Sequence, residues 1–304
     1  MTQMTTHASP TAAAGLSRRG LLAASGAALA VAACGIRPKH HRMPLLGSTG
    51  SIEGSREFAK LGAAFVELSC RKTLVPDDSE DVFLQKTRHV KQLLVPTPAG
   101  NSFLPGRFQC IGDEADHAPV LPYADIMFAR GEQLGMDTIT FGSADARQIP
   151  TDFPEAHAEE QMAELLSALA PRAAEHGITV CLENLQSSEC NFVNRVAQGA
   201  RIVRAVDHPS VRLTADLFHM LREGEGPGGL ADAADLVHHV HVAERRDRTA
   251  PGVDGDDFRL YLGALIDGGF DGRISIECRW RNLDDEMPVA LRELRTQLRD
   301  VGVG

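Results

Sequence analysis

From residue 44 onward, short apolar runs alternate with longer stretches of helical period, and each apolar run ends in polar or glycine residues. Eight runs have the length and composition of strands: Pro44 to Gly47, Phe65 to Leu68, Gln92 to Val95, Thr138 to Phe141, Ile178 to Leu182, Val211 to Thr214, Val237 to Val242 and Ile274 to Ile276. The helical period falls between and after them, over Ser55 to Leu61, Ser79 to Val90, Tyr123 to Leu134, Ala156 to His176, Asn191 to Val206, Leu230 to Asp235, Phe258 to Asp267 and Glu286 to Arg299. A strand followed by a helix, repeated eight times, predicts a parallel sheet wound by right-handed crossovers. No glycine-rich phosphate-binding turn follows the first strand, which disfavours an open doubly wound sheet and favours a closed (β/α)8 TIM barrel over residues 44–300. No linker of low complexity interrupts the alternation, so a single domain is expected. Pro96 to Pro122, Gly224 to Gly229 and Thr249 to Gly255 read as loops after strands three, six and seven, all at one mouth of the barrel.

The first 33 residues follow a different logic. Ser17-Arg18-Arg19-Gly20 precedes the uncharged run Leu21 to Ala33, too short to span a bilayer as a mature helix. Paired arginines, a short apolar stretch and small residues describe an export signal of the twin-arginine type. Val31-Ala32-Ala33-Cys34 also resembles a lipobox, in which Cys34 would carry a lipid anchor; the alternative is an incidental thiol beside an Ala-x-Ala cleavage site. An extracytoplasmic protein, free or membrane-anchored, is expected.

Composition narrows the chemistry. The chain of 304 residues carries 31 Lys and Arg against 41 Asp and Glu, a net charge of -10, and removal of the signal would make it more acidic because that segment holds arginines and no acid. Such a chain offers no general basic surface for a nucleic-acid backbone, and a small polar substrate is the better expectation. The six cysteines form no CxxC pair, so neither a zinc knuckle nor a disulfide framework is expected.

Four of the strand ends carry a carboxylate or an imidazole: Glu183 after Val180-Cys181-Leu182, Asp216 after Leu213-Thr214-Ala215, His241 after His239-Val240, and Glu277 after Ile274-Ser275-Ile276. Each lies about one βα unit beyond the last. In a parallel barrel the carboxyl ends of all strands face the same mouth, so these side chains converge. Singly, each has an ordinary reading: Asp216 as a turn cap, His241 as a core histidine, Glu183 or Glu277 as an ion-pair partner. Together they would put three acids and a histidine in one end of a core, which is costly unless a cation neutralises them. Three carboxylate oxygens and one imidazole nitrogen suit Mn²⁺, Mg²⁺ or Co²⁺, with Zn²⁺ a further candidate.

With these residues in place, the chain resembles the xylose isomerase-like family of TIM barrels, the sugar isomerases and epimerases. The resemblance covers residues 44 to 282 and rests on Glu183-Asn184-Leu185, Asp216-Leu217-Phe218-His219, His241-Val242-Ala243-Glu244 and Ile276-Glu277. It implies that Glu183, Asp216, His241 and Glu277 bind one divalent metal, that His219 touches a substrate oxygen, and that Glu189 is a further substrate-facing acid. A metal polarising a carbonyl acidifies the neighbouring C–H, and Glu183 and Glu277 would then remove and return that proton as a sugar is epimerised or isomerised. One departure stands out. Related ketose epimerases often carry a substrate-binding arginine six residues after the metal-binding histidine; here that position is Asp247, flanked by Arg245, Arg246 and Arg248. Either a neighbour such as Arg245 substitutes, or the substrate differs.

The same superfamily holds apurinic endonucleases, but the third and fourth strand ends here offer no histidine for further metals. Two other readings are a metal-dependent lyase or hydrolase acting on oxidised 3-keto glycosides, and a non-catalytic sugar-binding lipoprotein. Elsewhere, Cys181 reads as core, Trp280 as either core packing or a platform at the pocket mouth, and Glu67 as either a substrate contact or a partner for a backbone group.

Overall fold

The computed structural model describes residues 42–304; the signal-type segment 1–33 and Cys34 lie outside the described residues. Eight parallel strands close into a barrel: β1 (Leu45–Gly50), β2 (Val66–Ser69), β3 (Ala99–Asn101), β4 (Thr138–Phe141), β5 (Thr179–Glu183), β6 (Val211–Asp216), β7 (Val237–Val242) and β8 (Arg273–Ile276). Closure is made by β1, which pairs with β2 through Ser48↔Val66 and with β8 through Ser48↔Ile276. The helices are α1 (Ser55–Lys60), α2 (Cys70–Leu74), α3 (Glu80–Thr87), α4 (Val120–Gln133), α5 (Glu155–Glu175), α6 (Val196–Val206), α7 (Leu217–Arg222), α8 (Gly228–Ala233), α9 (Arg259–Asp267) and α10 (Leu283–Asp300). No helix among the described residues is long and apolar enough to cross a membrane.

Seven of the eight expected strands form where the apolar runs lie. The third does not. Val90–Gln92 winds into a short 3₁₀ turn, Leu94 is exposed, and the strand starts beyond Pro98 on Ala99-Gly100-Asn101. Pro96 and Pro98 cannot donate to a ladder, so pairing waits until the prolines have passed. The new position is held on both sides, Glu67↔Ala99 toward β2 and Ala99↔Thr138 toward β4. Gly100 is required there, because a Cβ would sit 2.4 Å from Cys70 Sγ. The connection expected from Pro96 to Pro122 therefore contains β3 itself.

The apolar core lies between sheet and helices, where Leu165, Leu166, Leu169, Met127, Leu262, Leu291 and Leu294 are fully covered. Inside the barrel the middle layer is polar instead. Thr140 and Thr214 hydroxyls meet at 2.9 Å across β4 and β6, and Glu67 on β2 meets His239 on β7 at 2.8 Å. Neither pair of strands is adjacent, so both contacts cross the interior. Polar groups stripped of water survive only when partnered, and this layer forms a hydrogen-bonded floor beneath the mouth. The five described cysteines, Cys70, Cys110, Cys181, Cys190 and Cys278, form no disulfide with one another.

Candidate active site and metal centre

The carboxyl ends of β5 to β8 bring Glu183, Asp216, His241 and Glu277 together: one ligand-capable atom from each lies within 4.8 Å of the others. Glu183 Oε1 is 2.7 Å and Glu277 Oε2 3.1 Å from His241 Nδ1, with Asp216 Oδ2 at 3.9 Å from the same nitrogen.

Asp216 does two jobs with two oxygens. Its Oδ1 accepts the backbone N–H of His219 at 2.9 Å and caps α7, the short helix that starts at the next residue. Its Oδ2 is buried and has no hydrogen-bond partner. An orphaned carboxylate oxygen facing two more carboxylates and an imidazole is costly, and a divalent cation among them removes the cost. The donor set, three oxygens and one nitrogen, fits such an ion.

His241 is aimed from behind. Both oxygens of Glu67 lie 3.0 Å from His241 Nε2, and Glu67 Oε2 is also 2.8 Å from His239 Nε2. A carboxylate only accepts, so Nε2 of His241 carries the hydrogen and Nδ1 faces the cluster. Glu67, His239 and His241 also form a compact fully buried group. The Glu67 carboxylate oxygens are already occupied by the two imidazoles at hydrogen-bond distance, so Glu67 would orient His241 toward a bound ion. Glu67→Gln is expected to weaken divalent-metal binding by about 10–100-fold with the fold retained. Calorimetric titration of metal-stripped protein with Mn²⁺ checks this; unchanged affinity would show that the hydrogen bond to Nε2 does not set the ligand.

The charges shift one another strongly. Burial pushes Glu67 up, but His241 and His239 outweigh it and hold the carboxyl well below its usual range. Burial pushes His241 down, yet Glu67, Glu277 and Glu183 together raise it well above the ordinary imidazole. Glu183 is raised, by burial first, against the pull of His241. Glu277 is lowered: burial opposes this, and His241 and the Arg248 guanidinium overcome it. The two glutamates are thus driven in opposite directions by their surroundings.

Glu183 is further fixed by a buried cation. Arg147 is completely covered; its Nε donates to the Gly142 carbonyl at 2.6 Å and its Nη2 to the Glu183 carbonyl at 2.7 Å, pinning the ends of β4 and β5 together. Gly142 leaves room for the carboxylate, since a Cβ there would lie 2.2 Å from Glu183 Oε2. Asn184 bridges to β6, with its side chain bonding the backbone N–H and carbonyl of Asp216.

The expected substrate-facing residues sit on the same mouth. His219 is buried, 3.6 Å from Asp216 Oδ2 and 3.9 Å from Glu189 Oε2. Glu189, half exposed, accepts from Gln186 Nε2 at 2.5 Å. Arg245 does not reach the cluster: it is exposed, and its backbone N–H bonds Asp256. Arg248 reaches it, with Nη2 at 2.6 Å from Glu277 Oε2 and 3.7 Å from Asp216 Oδ2, and the guanidinium over the Phe218 ring. The sequence named Arg248 only as a neighbour of Asp247. Its selection depends on Asp247 and Arg248 both adopting left-handed backbone angles, φ 57° and 55°, which spacing alone does not reveal. Glu67 was legible only as a polar residue ending a strand, and Asn101, which donates to Glu277 Oε1 at 3.1 Å, was hidden by the displaced third strand. A cavity of about 660 Å³ opens beside Glu277, lined by Thr49, Ser69, Asn101 and Trp280, and Trp280 also packs against the apolar core.

A (β/α)8 barrel with one acid or imidazole at each of four successive strand ends is a barrel whose mouth could hold a metal ion. The model of the xylose isomerase-like TIM-barrel family matches residues 56–300, and the chain belongs to that family. A D-psicose 3-epimerase of Ruminiclostridium cellulolyticum is 31% identical over 119 residues, 39% of this chain and 40% of that protein. The match thus spans well under half of that relative's length. A D-psicose 3-epimerase of Agrobacterium fabrum aligns more broadly, at 25% identity over 226 residues, 72% of this chain and 76% of that protein. The crystal structure of the D-psicose 3-epimerase from Clostridium cellulolyticum H10 with D-tagatose superposes with a TM-score of 0.69 at 22% identity, covering 83% of this chain and 99% of that one, a likeness of fold.

Proposed function

We propose that this protein is a divalent-metal-dependent sugar isomerase or epimerase that moves a proton next to a carbonyl of a sugar or sugar-derived ketone. The observation that carries the reading is the convergence of Glu183, Asp216, His241 and Glu277 around the orphaned Asp216 Oδ2. The family and the two epimerase relatives support it. Glu183, Asp216, His241 and Glu277 would hold the ion, for which Mn²⁺, Mg²⁺ and Co²⁺ suit the oxygen-rich set and Zn²⁺ also fits. When bound, it supplies Lewis acidity that makes the C–H beside a carbonyl more acidic.

The chain's own residues then handle the proton. Glu183 at the end of β5 and Glu277 just past β8 are the two carboxylates that can take it from carbon and give it back. Return to the opposite face inverts that centre, and return to the neighbouring carbon moves the carbonyl along the sugar. Asn101 and Arg248 each bond a different oxygen of Glu277, which fixes that carboxylate's plane. His219 and Glu189, side by side on the mouth, are placed to bond substrate hydroxyls. The test is proton NMR in D₂O of the metal-loaded protein with a panel of free ketoses, hydroxy-keto acids and 3-keto glycosides. The expected result is metal-dependent loss of a carbon-bound proton next to the carbonyl, with a new sugar isomer. Exchange accompanied by aglycone release would move the reaction to elimination, and absence of exchange across the panel with metal bound would count against a proton-transfer enzyme.

A further inference from the structure

A second, smaller cavity of about 210 Å³ adjoins the cluster through Arg248, which pairs with Glu277. Its walls include four arginines, Arg222, Arg245, Arg248 and Arg279, against two acids, Glu189 and Asp247. On a chain of net charge -10 this is a local reversal of sign. The loop after β7 contributes it by a specific backbone route. Asp247 and Arg248 are successive non-glycine residues in the left-handed region, a conformation that costs energy and persists where surrounding contacts enforce it. The enforcing contacts are visible: the Arg279 N–H donates to the Arg248 carbonyl at 2.7 Å, and Arg248 Nε donates to the Glu277 carbonyl at 2.9 Å.

The arginines are not equally engaged. Arg246 turns outward to pair with Asp254, Arg248 pairs with Glu277, and Arg222 donates to Gln186 at 3.0 Å. Among the described residues, the guanidinium groups of Arg245 and Arg279 have neither an ion pair nor a hydrogen bond, and both line this cavity. A neutral ketose accounts for one arginine beside the reacting centre, a place that Arg248 fills; it gives no reason to add Arg245 and Arg279, because its remaining hydroxyls are served equally well by neutral donors. A planar or tetrahedral oxyanion does, since guanidinium groups bind it through paired charge-assisted hydrogen bonds.

We infer that the substrate carries an anionic group, a carboxylate or a phosphate, held by Arg245 and Arg279 with Arg222 and Arg248 beside them, while its carbonyl end lies at the four-ligand cluster. The inference rests on the sugar isomerase or epimerase reading and narrows its substrate class to acidic sugars. Arg71 and Lys72 line the larger cavity beside Glu277 and are a competing anchor that the test must separate.

Three probes share one carbon skeleton and differ only at the terminal carbon: D-fructose, D-fructuronate and D-fructose 6-phosphate. Binding of each to the full-length Mn²⁺-loaded protein is measured by calorimetry, for wild type and for the Arg245→Gln/Arg279→Gln double variant, whose two side chains are exposed and unpaired. At least one anion is expected to bind about 10-fold or more tighter than D-fructose, with the preference weakened by added salt and largely lost in the double variant. Which anion wins identifies carboxylate or phosphate. Equal affinity for all three probes would overturn the inference, and so would an anion preference that survives the double substitution, which would assign it to Arg71 and Lys72. The outcomes separate from those of the wider reading: anion preference without proton exchange on any substrate defeats the isomerase, and exchange on neutral ketoses without anion preference defeats only the anion site.

Discussion

Glu183→Gln is expected to lower turnover by about 10²–10⁴-fold, the usual contribution of a positioned acid or base, while the barrel stays folded. The substitution is close to isosteric in a site built around that side chain. Arg147 holds the Glu183 carbonyl rather than its carboxylate, and Gly142 leaves space for either an acid or an amide. The amide keeps an oxygen able to face a cation but cannot carry a proton to and from carbon. Three readouts separate the roles: deuterium exchange into substrate, metal content of the purified variant, and thermal unfolding. Lost exchange with metal retained assigns proton transfer to Glu183; lost exchange with lost metal assigns it chiefly to ligation. Wild-type exchange in Glu183→Gln would remove this residue from the mechanism.

The second large effect is structural and lies next to the site. Glu244, completely buried just past β7, gathers the following loop onto one carboxylate. Its Oε1 accepts backbone N–H groups from Gly252 at 2.7 Å, Gly255 at 2.9 Å and Asp256 at 3.3 Å; its Oε2 accepts the Thr249 hydroxyl at 3.0 Å and the Asp254 N–H. Glu244→Ala removes the acceptor of four backbone N–H groups, whereas the Thr249 hydroxyl keeps the Arg246 carbonyl and the Asp254 carboxylate as acceptors. At about 1 kcal/mol for each of these four partly covered N–H groups, the expected loss is about 4 kcal/mol. For a barrel of this size that is a fall in Tm of about 8–16 °C. Glu244→Gln should rescue part of this, because its amide oxygen can still accept the three N–H groups on the Oε1 side while its NH₂ would confront the Asp254 N–H. The same loop carries Arg245 and Arg248, so both variants should also lose affinity for substrate. Denaturant unfolding with proton-exchange kinetics on the same samples checks this, and a near-wild-type Tm for Glu244→Ala would show that the loop is held by other contacts.

The contrast between these two glutamates shows what the linear chain reveals. Glu183, Asp216, His241 and Glu277 were legible because each ends an apolar run of strand length, and a parallel barrel turns four such ends into one point. Glu244 carries the same kind of side chain three residues beyond His241, and nothing in its spacing distinguishes a loop anchor from a catalytic acid. Helix α7 shows a similar overlap. Asp216 was readable as a turn cap or as a ligand, and the fold uses one oxygen for the cap and leaves the other bare. The third strand was misplaced because Leu93-Leu94-Val95 has the apolar character and Ala99-Gly100-Asn101 has none. Register with β2 and β4, and two prolines, decided where the ladder begins.

By itself, the sequence determined the periodic alternation of strand and helix, hence the parallel barrel, and the four strand-end side chains at its mouth. These follow from local period and chain order, which every neighbouring segment states independently. Tertiary structure alone decided that Glu67 on β2 orients His241 on β7, that Arg147 pins Glu183, and that Arg248 rather than Arg245 reaches Glu277. Each of those contacts joins residues distant in sequence or depends on a left-handed turn. Closure of the barrel sets the distances between such residues, and no local pattern encodes them.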